Sequence, residues 1–282
     1  MNPLLQGVRL PGSAGMEPER QLLSPRLHLY SRFHSYYLPD DRDVTVYLPP
    51  GYDEDSTRSY PALYMHDGQN LFDCQESADT FVKRRTWQMA ETADAAIRAG
   101  EVEPLLIVGV ANTGERRLSE YTPTADWNLG GGEAGKYGRL LVKELLPFIA
   151  ANYRTKPGAA NTGLGGSSLG ALATLFLGLH YEGTFGKLAA LSPSVWWNHR
   201  AILALISEAL PKLRGRPRVW LDIGEAEGQR AVADTDLLEQ WLRTEGWRAG
   251  VDLSYQRIPG GTHDEASWAR RVRPMLRFLF PA

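Results

Sequence analysis

Short apolar runs that end in turn residues recur along this chain, and helical patterns separate them. The run inside EPLLIVGVANTG is continuous rather than alternating, as expected of a strand buried on both faces. YPALYMHDG, GKLAALSPS, RPRVWLDIGEAEG and VDLSYQRIPGGTH each set an apolar run against a turn signal. NTGLGGSS is weak by strand propensity but sits between two helical patterns. The helical segments include TWQMAETADAAIRAG, which closes on Gly100, and GKYGRLLVKELLPFIAANY. LGALATLFLGLHY is apolar nearly all round, which predicts a buried helix. HRAILALISEAL, DTDLLEQWLRTEGW and DEASWARRVRPMLRFLF complete the set. RLHLYSRF and DVTVYLPP read as an opening antiparallel pair. The alternation predicts an α/β fold: a mainly parallel central sheet of about eight strands with helices on both faces.

Composition narrows the function classes. The 282 residues are 43% hydrophobic with a formal net charge of −2, so no broad basic field is available for nucleic acid or an anionic membrane. The single cysteine, Cys74, excludes an internal disulfide and a cysteine-rich zinc site. The N-terminal stretch lacks the apolar core of a secretory signal, and no later run is long enough to span a bilayer. A cytoplasmic location is expected. Residues 1–25 read as a flexible arm, with Met16 as an alternative start, and residues 26–282 as one catalytic domain without internal repeats.

Gly166-Ser167-Ser168-Leu169-Gly170 fits the spacing G-x-S-x-G around Ser168. A nucleophile on a tight strand-to-helix turn needs small neighbours two positions before and after it, and the next helix points its positive N-terminal end at the site. The same residues also fit a Gly/Ser turn with Ser168 as a helix N-cap. Ser167 is the rival nucleophile, but it would need a small residue where Leu169 stands.

A serine hydroxyl needs a base, and in this architecture the order along the chain is Ser, acid, His. After Ser168 come His180, His199 and His263. His180 falls within the buried helix pattern, and His199 follows SPSVWWN. His263 lies in a glycine turn between the last strand and the last helix, where a loop can return an imidazole over the strand ends. The acid should follow RPRVWLDIG, which offers Asp222, Glu225, Glu227, Asp234 and Asp236. Asp222 lies within the strand, where a structural hydrogen bond is expected. Glu227 is placed to orient the histidine from the loop beyond the strand, and Asp234 is the alternative.

YMHDGQNLFD, ERRLSEYTP, KELLPFIAANYRT, GGSSLGALA, LSPSVWW, LDIGEAEG and GGTHDEASW follow one another in that order. Together they resemble the Putative esterase family of α/β-hydrolases, which includes enterochelin esterases, feruloyl and acetylxylan esterases and mycolyltransferases. The resemblance runs from about Arg26 to the C-terminus and maps Ser168, Glu227 and His263 onto the family's triad. Ala171 stands where the family often has a second glycine, a small change that leaves the elbow intact.

The resemblance also implies an oxyanion hole formed by the amides of Leu169 and Gln69, with Gly68 permitting the turn. His66 and Asp67 read as a structural pair holding that loop, and no third ligand has a recognisable metal spacing. No cofactor or metal is implied. For a small-molecule ester substrate, Trp196 and Trp197 in SPSVWWNH are candidate contacts, or else core. One of Arg116 and Arg117 is another candidate, or else half of an ion pair with Glu120 or Glu115. Trp127, in the glycine-rich TADWNLGGGEAG, is a third, on a rim long enough to move.

These residues predict a serine carboxylic-ester hydrolase working through an acyl-enzyme on siderophore-type, aryl or short-chain esters. Acyl transfer by the same triad, or an inactive binding protein with this fold, are the alternatives.

Overall fold

The computed structural model describes residues 18–73, 86–181, 183–210 and 215–282. Cys74 and most of the expected N-terminal arm lie outside these residues. Along the chain come β1 (Arg20–Ser24), β2 (Leu27–Phe33), β3 (Arg42–Tyr47) and β4 (Ala62–His66). α1 (Met89–Arg98), β5 (Leu106–Val110) and α2 (Arg117–Tyr121) follow. A small hairpin of β6 (Ala125–Asp126) and β7 (Gly130–Gly131) precedes α3 (Ala134–Arg139) and α4 (Leu146–Asn152). Then come β8 (Thr162–Ser167), α5 (Leu169–His180), β9 (Lys187–Leu191) and α6 (Trp197–Ala209). β10 (Arg218–Gly224), α7 (Gln229–Thr244), β11 (Leu253–Ile258) and α8 (Glu265–Leu279) close the chain.

The main sheet has nine strands in the order β1-β2-β3-β5-β4-β8-β9-β10-β11. β1 to β3 are antiparallel to their neighbours, β3 also to β5, and every pairing from β5 to β11 is parallel. The ninth strand is β1. The arm was expected to reach residue 25, but its last part pairs with β2 at the sheet edge. β1 has no fully buried side chain, so it carries no hydrophobic period.

The glycines of β8 are imposed by its neighbours. A Cβ on Gly165 would lie 2.7 Å from Met65 Sδ and 2.8 Å from Ala189 Cβ, on the strands either side. α1 and α8 cover one face with Met89, Ala93, Val272, Met275 and Leu276. α3 to α7 cover the other with Tyr137, Leu141, Leu172, Ile202 and Leu238 among others. α5 is buried on nearly every side, as its composition predicts. The helix expected across GKYGRLLVKELLPFIAANY is α3 and α4 joined by a wide π turn over Leu140–Leu145. Pro147, in the first turn of α4, has no N–H to continue the α ladder, which accounts for the local change of register.

Arg42 on β3 and Glu120 on α2 form a two-pronged ion pair, both bonds 3.0 Å, with both side chains fully buried. Removing one partner leaves the other charge without compensation. Arg42→Met should therefore cost about 3–5 kcal/mol in denaturant unfolding, and adding Glu120→Leu should recover most of it. A loss below about 1 kcal/mol for the single variant would contradict this reading.

Candidate active site

Ser168 occupies the turn between β8 and α5 with φ 58° and ψ −123°. A non-glycine residue there stores strain that the surroundings must hold. Its N–H donates to Leu191 O on β9 at 3.0 Å, and its carbonyl accepts from Leu172 N in α5 at 3.2 Å. The glycines two before and two after it meet the steric demand read from the motif. A Cβ on Gly166 would lie 3.0 Å from His66 Cβ, and one on Gly170 3.2 Å from the same atom. Ser168 heads α5, yet its side chain makes no capping hydrogen bond. The hydroxyl is instead 3.4 Å from Ser194 Oγ. Ser167 is the buried last residue of β8.

His263, on the loop after β11, is half-exposed, and its ring meets Trp268 edge-on at 5.0 Å. Its Nδ1 lies 2.7 Å from Glu227 Oε2. Glu227 is in the short 3-10 turn after β10, and its side chain is 2% exposed. Its other oxygen, Oε1, accepts from Ser192 Oγ at 2.6 Å, Gly224 N at 2.9 Å and Arg271 Nη2 at 3.3 Å. Burial pushes this carboxyl up, but hydrogen bonds from His263, Ser192 and Gly224 outweigh it and hold the group below its ordinary value.

Asp234, the alternative acid, is buried on α7 and bonded to Arg200 Nε at 2.7 Å. The structure thus brings Glu227, not Asp234, to the His263 ring. Asp222 is structural, as expected: it accepts from Arg271 Nη1 at 2.8 Å and Trp220 Nε1 at 2.7 Å. Burial pushes its carboxyl up to about 6, against the pull of Arg271 and Trp220. His180 stacks on Phe176 at the end of α5, and His199 is an exposed residue in a left-handed turn.

Three contributors escaped the sequence reading. Arg271 is fully buried and links Asp222, Ser192 and Glu227. Its signal was an arginine in the apolar stripe of α8, in step with Trp268, Val272 and Met275. Ser192 and Ser194 lie in the loop after β9, where no period marks them.

On the other side of β8, Gly68–Asn70 form a 3-10 turn after β4. Asp67, not Gly68, takes the left-handed conformation, with φ 57°. Gly68 is required by proximity, since a Cβ there would lie 2.4 Å from Gly109 C on β5. Arg117 grips Asp67 with Nε–Oδ1 at 2.7 Å and Nη2–Oδ2 at 2.8 Å, and Asn112 Nδ2 donates to Oδ1 at 2.6 Å. Gln69 Oε1 accepts from Asn112 N at 3.1 Å. This turn is therefore held on several sides beside Ser168. The first N–H groups of α5, Leu169 among them, have no partner within the helix.

The expected substrate contacts separate. Trp197 is buried, with Nε1 bonded to Thr124 O at 2.9 Å, so it anchors the glycine-rich loop. Trp196 beside it is 45% exposed, and Trp127, at the β6–β7 hairpin, is 97% exposed. Arg116 pairs on the surface with Asp40 at 2.7 Å, and not with Glu115 or Glu120. Among the described residues no group of three or more His, Cys, Asp or Glu is placed to hold a metal ion, and no helix is long and apolar enough to cross a membrane.

Residues 35–279 match the model of the family described as Putative esterase. The chain belongs to this family. It is thereby an α/β-hydrolase and a carboxylic ester hydrolase. The Bacillus subtilis protein YbbA is 31% identical over 254 residues, which cover 85% of this chain and 93% of that one. The iron(III) salmochelin esterase of Escherichia coli O6:H1 is 28% identical over 80% of this chain, which spans 51% of that esterase. An IroE-like serine hydrolase from Shewanella oneidensis superposes with a TM-score of 0.71 at 22% identity, over 93% of this chain and 80% of that one. That likeness speaks to the fold.

His66 supports the elbow of this esterase from below. Its Nδ1 is 2.9 Å from Tyr137 OH, its Nε2 is buried without a partner, and burial lowers its pKa to about 4. The folded state therefore holds the ring neutral where the unfolded chain takes up a proton. Its contribution to stability is present above the unfolded value of 6.5 and is lost as pH falls toward about 4. Unfolding free energies measured at pH 7 and pH 4.5 should show the difference: the loss on acidification is smaller in His66→Asn, by on the order of 2 kcal/mol. Equal losses in the two proteins would contradict it.

Proposed function

We propose that the chain hydrolyses small-molecule esters through an acyl-enzyme on Ser168, with His263 as base and Glu227 as its orienting acid. The observation that carries this reading is the 2.7 Å bond from His263 Nδ1 to a Glu227 carboxylate whose side chain is 2% exposed. A carboxylate on Nδ1 fixes the proton there and leaves Nε2 as the free lone pair. As Ser168 Oγ bonds to the ester carbonyl carbon, its proton passes to Nε2 and the imidazolium is stabilised by Glu227. The amides of Leu169 and Gln69 receive the negative charge on the carbonyl oxygen. The proton then goes to the leaving alkoxide as the ester C–O bond breaks. Water, deprotonated by the same nitrogen, releases the acyl group and restores Ser168.

The relatives and the rim support a substrate class. The chain's likeness to a salmochelin esterase and the exposed indoles of Trp127 and Trp196 support siderophore-type or aryl esters, with short-chain esters also open. Arg116, tied to Asp40, is left out of the contact set.

A p-nitrophenyl ester series from acetate to long acyl chains tests the reading. Ser168→Ala should lower kcat by about 10⁴-fold or more, and Glu227→Gln by about 10³–10⁴-fold. Ser167→Ala and Asp234→Asn should each stay within a few-fold of the parent. If Ser167→Ala abolished turnover while Ser168→Ala kept it, the nucleophile would be misassigned.

A further inference from the structure

The tripeptide Ser192-Pro193-Ser194, in the loop after β9, touches both ends of the proposed catalytic chain. Its first hydroxyl meets the acid, with Ser192 Oγ 2.6 Å from Glu227 Oε1. Its last meets the nucleophile, with Ser194 Oγ 3.4 Å from Ser168 Oγ. The backbone is fastened on both sides as well. Ser192 N donates to Asp222 O on β10 at 2.9 Å, and Ser194 N donates to Ser168 O at 3.1 Å. Ser192 holds φ at 48°, Pro193 restricts its own φ, and both serines are buried. We infer that this tripeptide is a positioning clamp that sets Ser168 and Glu227 relative to each other, with Ser192 acting through Glu227 and Ser194 acting directly on the nucleophile's hydroxyl.

The direction of the hydrogen bonds follows from donor counts. A serine hydroxyl has one proton and two lone pairs. Ser192 Oγ accepts from Trp268 Nε1 at 3.1 Å and from Arg271 Nη1 at 2.8 Å. Both lone pairs are used, so its proton goes to Glu227. That leaves Glu227 Oε2 to face His263. At the other end, Ser168 must keep its own proton for His263 Nε2, so Ser194 donates to Ser168 Oγ. Ser194 comes from the β9 side of β8, whereas Gln69 comes from the β4 side. The Ser194 hydroxyl therefore acts on the nucleophile and stands apart from the proposed oxyanion amides. It supports negative charge on Ser168 Oγ as the proton leaves.

This inference rests on the triad reading, and the experiment separates the two. Ser192→Ala and Ser194→Ala are compared with the parent by fluorophosphonate labelling rate, by kcat and KM, and by the pH profile of kcat/KM, with a thermal melt for each. Ser194→Ala should slow labelling and kcat by about tenfold, roughly one lost hydrogen bond, with KM within about twofold and an unmoved pH profile. Ser192→Ala should lower kcat by a similar factor and move the acid limb of kcat/KM to higher pH, because Glu227 with one donor fewer favours the imidazolium more. If Ser192→Ala does not fold, Ser194→Ala decides alone. Parent-like rates and profiles in the folded variants, with only a lowered melting temperature, would overturn the clamp and leave the triad standing. A parent protein that does not label on Ser168 would overturn both.

Discussion

A carboxylate buried to the extent of Glu227 must be satisfied on every lone pair, or the fold loses several kcal/mol. Three strand ends and one helix converge to do this. β9 sends Ser192, β10 supplies the Gly224 amide, α8 contributes Arg271, and the loop after β11 brings His263. Arg271 is itself held by Asp222, which Trp220 also bonds. Two carboxylates thus share one guanidinium in a dry setting. The deeper one, Asp222, is pushed up to about 6, while Glu227 is held low. Three donors occupy Glu227 Oε1, which leaves Oε2 to the histidine.

The Ser168 side is governed by contact distance. Ser168 keeps its strained backbone because Gly166 and Gly170 lie against His66 with little space for a Cβ, and because β9 accepts its N–H. The turn carrying Gln69 is fixed by a different device, a charge fork from Arg117 to Asp67. The elbow is thus held mainly by steric fit and the Gln69 turn mainly by electrostatics, with His66 and Asp67 adjacent where the two meet. The indoles on the rim have no such restraint at Trp127, whereas Trp197 ties the base of the hairpin to α6.

Much of this was legible in the sequence where a physical period or a fixed spacing carried it. β4, β5, β9 and β10 announced themselves by apolar runs, whereas β8 was marked only by its place between two helical patterns. The elbow announced itself by its two small residues, and His263 and Glu227 by their positions just beyond strand ends. What stayed hidden lacked such a signal. β1 has no fully buried side chain, and Ser192 and Ser194 sit in an aperiodic loop. Arg271 reads as one of several arginines in WARRVRPM until the stripe of α8 is drawn. Adjacent Trp196 and Trp197 are identical in type, and only the turn of the chain sends one outward and one into the core. The partner of Arg116 lies far away in sequence, at Asp40, beyond the reach of local pattern.

The most direct measurement is the site of covalent capture. The purified protein is treated with a fluorophosphonate and digested, and the modified residue is identified by mass spectrometry, in parallel with His263→Ala. The account predicts one adduct per chain, on Ser168, formed rapidly in the parent and only slowly without the imidazole. An adduct on Ser167 or elsewhere, or an active esterase that takes no adduct, would contradict it.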